Sequence, residues 1–300
     1  MLTGADYRAR VPSLSLSRVP APLMVLVSIV SVQCGSAVAR GVFDDLGAAG
    51  ITLLRLALSA LLLLALLRPG VGSWTKRSWR AAVLLGCVLA GMNLVFYLSL
   101  RTVPLGVAVT VEFVGPLLLA LVQTRRIVDL LWALLAAGGV VLLGSDTSSD
   151  IPVSGLALAL LAGLFWAGYI LASAHVGQVL PGVDGLAVAL AFATVLVLPF
   201  GISGASAVLD RPSLLLPACA VALLSSVVPY GLELSALRRI PTRVFGILMS
   251  MEPAAAALSG LVILDQALGR REIAALLMVS LASVGVTLGS RDGRPVQPLE

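Results

Sequence analysis

The chain is built from long apolar runs, each close to the length that crosses a bilayer. A transmembrane helix needs roughly 20 predominantly apolar residues. Runs of about that length cover 21–39, 48–67, 81–100, 104–123, 127–144, 154–174, 184–203, 214–236, 242–263 and 272–290. A water-soluble fold would have to expose much of this surface, at the expense of its solubility. Composition agrees: 12% of residues are charged and the mean hydropathy is +1.06, against about 25% charged residues in ordinary soluble domains. The expected fold class is an all-α integral membrane protein with ten transmembrane helices.

The net charge of +5 does not point to nucleic acid, because the basic residues stand singly or in pairs between apolar runs and form no stripe with interleaved aromatics. Topology accounts for them better. With the N-terminus inside and ten spans, the cytoplasmic segments hold fourteen Lys and Arg residues. The opposite segments hold five, namely Arg40, Arg101, Arg211, Arg270 and Arg271. Lys and Arg favour the cytoplasmic side, so both termini are expected there. Residues 1–20 carry Arg8, Arg10 and Arg18 without a small-residue cleavage site and read as a retained cytoplasmic tail. Residues 291–300 read as a second cytoplasmic tail. Cys34, Cys87 and Cys219 sit in apolar runs without ligand spacing and read as packing thiols; with one histidine, His175, no metal site and no cofactor are expected.

The two halves resemble each other. Leu100-Arg101-Thr102-Val103-Pro104 returns 137 positions later as Leu237-Arg238-Arg239-Ile240-Pro241, and on that offset Gly115-Pro116 meets Glu252-Pro253. Leu143-Gly144-Ser145 also returns near the end as Leu288-Gly289-Ser290. Five spans separate equivalent points, and an odd number inverts the second copy. Two five-helix repeats are therefore expected, 21–145 and 152–290, related by an axis in the membrane plane. Inverted repeats are a common build of secondary transporters, with the site near the midplane between halves. Recurrent Gly-Ser endings and Pro-started helices are the bland alternative.

Ionisable groups at bilayer depth cost at least ~2.5–3.5 kcal/mol on insertion scales, which makes each a functional candidate. Arg55, Glu112, Glu233 and Glu252 all fall inside spans. The competing role for each is a buried hydrogen bond or ion pair that locks helix packing. Polar and aromatic neighbours occur at helical spacing: Gln33 with Ser36, Asn93 with Tyr97, Trp166 with Tyr169, and Tyr230 with Glu233. Trp74 and Trp79, near a span end, suit an interfacial belt; Trp166 and Tyr169 lie too deep for that and suit a cavity wall. The set fits a zwitterionic ligand, with Arg55 on its carboxylate and Glu112 or Glu233 on its ammonium, while amides and phenols orient it. The substrate-binding candidates are Arg55, Glu112, Asn93, Tyr97, Trp166, Tyr169, Tyr230, Glu233 and Gln33. Burial of a carboxyl in apolar surroundings favours its protonated form. Glu112, Glu233 and Glu252 are therefore the candidates for proton coupling, Glu112 first. Pro116, Pro229 and Pro253 interrupt spans and are the candidate hinges. Arg55 has no ionisable twin at the matched place in the second half.

Several stretches resemble a known family. They are Gly91–Ser99, Thr102–Val109, Glu112-Phe113-Val114-Gly115-Pro116-Leu117, Pro241–Gly246 and Leu248-Met249-Ser250-Met251-Glu252-Pro253. They look like the drug/metabolite transporter superfamily, EamA type. Residues 34–40, Trp166–Leu171 and Pro229–Glu233 further resemble its bacterial inner-membrane exporters of threonine and homoserine. The likeness spans roughly 20–290. It implies ten helices in two inverted repeats and efflux of small amino acids driven by the proton gradient. Cys34 stands where the resemblance predicts a glycine, and Leu232 to Leu234 vary around their acid. Rival readings are a membrane-embedded enzyme, a scaffold or a channel. Asp44-Asp45 is the one adjacent acid pair and lacks the partner motif an enzyme would need, and a scaffold would not need charges in apolar spans. No catalytic residue is expected.

Overall fold

A computed structural model describes residues 19–124, 127–144, 151–180, 184–237, 239–240 and 242–289. The two tails expected at 1–20 and 291–300 lie almost wholly outside these. Helix is the expected answer of a chain in hydrocarbon, because every backbone donor and acceptor must be satisfied within its own segment. Among the described residues no strand occurs.

The first three spans are α1 (Ala21–Gly41), α2 (Phe43–Leu67) and α3 (Lys76–Ser99). The fourth is split into α4 (Leu105–Glu112) and α5 (Val114–Thr124), and α6 (Ile127–Gly144) follows. Then come α7 (Val153–Val179) and α8 (Asp184–Ala205). The eighth expected span is α9 (Leu215–Ala222), a π-helical turn Leu223–Val227, and α10 (Val228–Leu237). The ninth is α11 (Thr242–Met249) with α12 (Glu252–Leu264), and α13 (Arg270–Gly289) closes the chain. Nine helical segments are long and apolar enough to cross a membrane, counted among the described residues. The fifth expected span falls on α6, whose apolar stretch Leu130–Leu143 is shorter than a full span.

Local signals explain the ends. Thr75 caps α3 by accepting from the Ser78 amide at 3.2 Å. Asp265 and Arg68 end α12 and α2 in the left-handed conformation. Pro104 and Pro152 stand just before α4 and α7, where a missing N–H costs nothing.

Packing joins the two halves of the sequence throughout. The α1 helix packs on α10 and α12, α2 on α8 and α9, α3 on α7 and α8, α4 on α12 and α7, and α6 on α13. In span numbers these are contacts of one with eight and nine, two with seven and eight, three with six and seven, four with nine and six, and five with ten. Adding or subtracting five from every number returns the same set, while the contact of the tenth span with the fourth (α13 with α4 and α5) stands outside it. Small residues permit the closest crossings. A Cβ on Gly163 would strike the carbonyl of Glu112, and one on Gly115 would strike the carbonyl of Gly163, so α7 meets the fourth span backbone to backbone. Large apolar side chains such as Leu61, Val122 and Leu216 point outward, which water would penalise and hydrocarbon would not.

The cysteines behave differently from expectation. All three are free thiols, but Cys87 and Cys219 are exposed; Cys34 alone is packed, its Sγ 3.9 Å from Ser259 Oγ. Within an apolar span, one face meets neighbouring helices and the other meets the surroundings, so an apolar run does not imply a packed position.

Candidate substrate site

The interior polar groups gather around a defect in the eighth span. Pro229 has no amide hydrogen, and its ring displaces the carbonyl four residues earlier, that of Ser225. The helix responds with the π turn Leu223–Val227, a rare form that is frequent at functional sites. Its carbonyls, and that of Ala222 just before it, are claimed from the first two spans. Ser31 Oγ donates to Leu224 O at 2.7 Å and Ser59 Oγ to Ala222 O at 3.4 Å. Arg55 Nη2 donates to Ser225 O at 2.6 Å.

Arg55 makes two further bonds, Nε to Ser226 Oγ and Nη1 to Tyr97 Oη, both at 3.2 Å. Its guanidinium carbon lies 5.5 Å from the Tyr97 ring centre, a cation–π distance. Arg55 is 6% exposed and Tyr97 fully buried. One side chain on α2 thus ties together α3 and the bulge, using donors that point in three directions. Lys could not reproduce that fork.

One carboxyl, Glu112, lies within electrostatic reach of this cation, and two more lie in the same interior. Glu112 ends α4 at the break of the fourth span and is buried. Pro116 withholds an amide from the Glu112 carbonyl, as Pro229 does from Ser225. Arg55 acts on Glu112 through space, and on Tyr230. Glu233, on α10, accepts from Ser28 Oγ at 2.6 Å. Glu252 begins α12 beside Pro253, is buried, and is within electrostatic reach of both Glu233 and Glu112. Its Oε2 has no hydrogen-bond partner, nor has Oε1 of buried Gln33.

Aromatic rings complete the surround. Tyr169 and Tyr230 lie 6.4 Å apart, tilted by 37°, and both fall within the field of Glu233. Trp166 stands edge-on to Phe113 at 5.5 Å, next to Glu112 in sequence. Asn93 is buried, but its amide donates to Leu89 O of its own helix at 2.8 Å. Trp74 pairs with Trp79 at 5.3 Å, away from this cluster. Phe192, 137 positions after Arg55, stands edge-on to Trp79 at 6.2 Å. Ser225, Ser226, Ser31 and Ser28 were not singled out by the sequence; the distance of four residues from Pro229 back to Ser225 was the available signal.

Arg55 and Tyr97 are screened from the surroundings. A cavity of about 440 Å³ is bordered by Arg40, Phe43, Asp44, Gly50, Leu98 and Arg101 among others. Among the described residues no group of three or more His, Cys, Asp or Glu could hold a metal ion.

Residues 153–288 match the EamA-like transporter family. The chain is 43% identical over 272 residues to the threonine/homoserine exporter RhtA of Salmonella typhimurium, covering 90% of this chain and 92% of that protein. It is 41% identical over 292 residues to the threonine/homoserine exporter RhtA of Escherichia coli, covering 95% and 98%. A solved protein structure matches with a TM-score of 0.60 at 18% identity, over 89% of this chain and 96% of that one; this likeness concerns the fold alone. Relatives aligned along nearly their whole length and the family match lead to one assignment. This chain is a multi-pass membrane protein, not an enzyme, and it belongs to the EamA-like transporter family.

Proposed function

We propose that this transporter exports small amino acids of the threonine and homoserine type across a bacterial inner membrane, in exchange for protons and by alternating access. The observation that carries the reading is the Arg55 fork. A buried guanidinium held by a backbone carbonyl, a hydroxyl and a phenol can trade these neutral acceptors for a carboxylate, which binds it more strongly. Glu112, Glu233 and Glu252 then offer partners for the ammonium. The unpartnered oxygens of Gln33 and Glu252 leave capacity for its N–H groups.

Coupling follows from competition. A carboxyl that holds either a proton or the substrate ammonium, but not both, exchanges one for the other across the membrane. Glu112 is assigned that role first, because Arg55 acts on it and it sits at a helix break. Names of relatives support the substrate class: those aligned at 41–43% identity are threonine/homoserine exporters.

The scaffold is read as ten helices in two inverted repeats, 21–145 and 152–290, with both termini cytoplasmic and the apolar outer faces against lipid. Support comes from contacts between the halves, most of which survive a shift of five spans. The fourth and ninth spans are also broken at matched places, before Gly115-Pro116 and at Glu252-Pro253. Breaks at Pro116, Pro229 and Pro253 would let each span bend about a fixed centre. Counterflow tests the function: proteoliposomes loaded with unlabelled threonine should concentrate labelled threonine transiently, and a proton gradient should drive net uptake.

A further inference from the structure

The geometry points to a second, outer amino-acid site in the cavity at the end of the bundle, where Arg40 and Arg101 take the ligand carboxylate and Asp44 its ammonium. This inference rests on the amino-acid transport reading and adds a station to its path. The cavity's volume of about 440 Å³ falls among small-molecule sites, which occupy ~300–1,000 Å³. Both arginines also border an adjoining space of about 150 Å³ with Gln266.

The charges here are not spent on ion pairs. Arg40 Nε is buried without a hydrogen-bond partner, and its guanidinium lies 5.2 Å from the Phe43 ring centre. Neither Arg40, Arg101 nor Asp44 has an ion-pair partner among the described residues. The neighbouring acid does: Asp45 binds Arg211 at 2.6 Å. The two adjacent aspartates are therefore divided, one holding a connecting segment and one lining the cavity. Two cations and one acid match the ends of a zwitterion. The cavity wall is opened by Gly47, whose φ of 66° interrupts the first turns of α2; residues with a Cβ rarely adopt that conformation.

The outer site communicates with Arg55. Gly50 on its floor precedes Arg55 by five residues of α2, about 7.5 Å at 1.5 Å per residue. Phe43 and Tyr97 link the two, their ring centres 6.0 Å apart. The Arg40 guanidinium lies over the Phe43 ring, and Arg55 bonds Tyr97. Arg40, Phe43, Tyr97 and Arg55 thus form one chain of contacts with a cation at each end. A carboxylate leaving Arg55 meets Arg40 next.

The test measures threonine KM separately from each membrane face, in right-side-out and inverted vesicles carrying the full chain. Arg40→Gln, Arg101→Gln and Asp44→Asn should each raise KM at least fivefold from one face, the same face for all three. From the other face KM should stay within twofold. Arg40→Lys should recover part of the loss, because the charge survives. Unchanged KM on both faces, or an equal change on both, overturns the outer site. Arg101 lies on an exposed turn, so its variant keeps the question open to measurement if Arg40→Gln fails to insert. If the unaltered protein gives no threonine counterflow, the transport reading falls and takes this site with it. Normal counterflow with symmetric KM values removes the outer site alone.

Discussion

Pro229 has no amide hydrogen for the carbonyl of Ser225, and that carbonyl is held by Arg55 Nη2 at 2.6 Å. A missing backbone bond in the eighth span thereby becomes the anchor of the one buried cation in the second. The fault in one helix supplies the partner that makes Arg55 tolerable at depth. Hydrogen bonds to charged groups contribute about 1.5–3 kcal/mol each, comparable to the insertion cost of the arginine.

Replacing Arg55 should therefore damage transport even when charge is kept. Arg55→Lys supplies a point charge that cannot serve Ser225, Ser226 and Tyr97 together. We expect kcat/KM for threonine counterflow to fall at least tenfold, about 1.4 kcal/mol, and Arg55→Gln to abolish it. Normal rates in both variants would remove Arg55 from the site.

Pro229→Ala returns an amide hydrogen to the eighth span. The Ser225 carbonyl can then close an ordinary helical bond, leaving Arg55 one acceptor short. The expected result is a folded protein with transport reduced several-fold. Hydrogen exchange should show protection of the amide newly present at position 229, and its absence would mean the bulge persists without the proline.

Glu112→Gln should weaken exchange and coupling together, because the carboxyl that releases the proton also receives the ammonium. Threonine counterflow should fall at least tenfold, about 1.4 kcal/mol, and uptake driven by a proton gradient should be lost. If the gradient still drives uptake, the coupling role belongs to Glu233 or Glu252, and the same pair of assays on their glutamine variants identifies which.

Backbone crossings should be intolerant where the chains touch. Gly163→Ala would press a methyl on the Glu112 carbonyl and is expected to destabilise by about 1–3 kcal/mol. Gly177→Ala meets nothing within 4 Å and should be neutral or stabilising by up to ~1 kcal/mol, since glycine is costly inside a helix. Melting temperatures in detergent compare the two.

Most of the fold could be read from the sequence because hydrocarbon leaves so few options. Helix positions followed from apolar length alone, as at 184–203 against the observed Asp184–Ala205. The deep charges were legible for the same reason, since Arg55 and Glu112 violate their surroundings. What could not be read was the pairing. That Arg55 meets Ser225 depends on a π turn in a helix 170 residues away in sequence, and no local pattern announces that contact. Nor does spacing tell which face of a span is packed. Asn93 shares a helix face with Tyr97, yet it spends its amide on its own helix. The basic pair Arg40 and Arg101 looked like loop residues because each stands alone at a span end; only the packing of those ends brings both to one cavity.

Counterflow of labelled threonine in proteoliposomes tests the central claim most directly. The account predicts saturable uptake that is accelerated by internal threonine or homoserine, enhanced by a proton gradient, and lost in Arg55→Gln. Uptake no greater than in empty liposomes, or flux that rises without saturation, would contradict it.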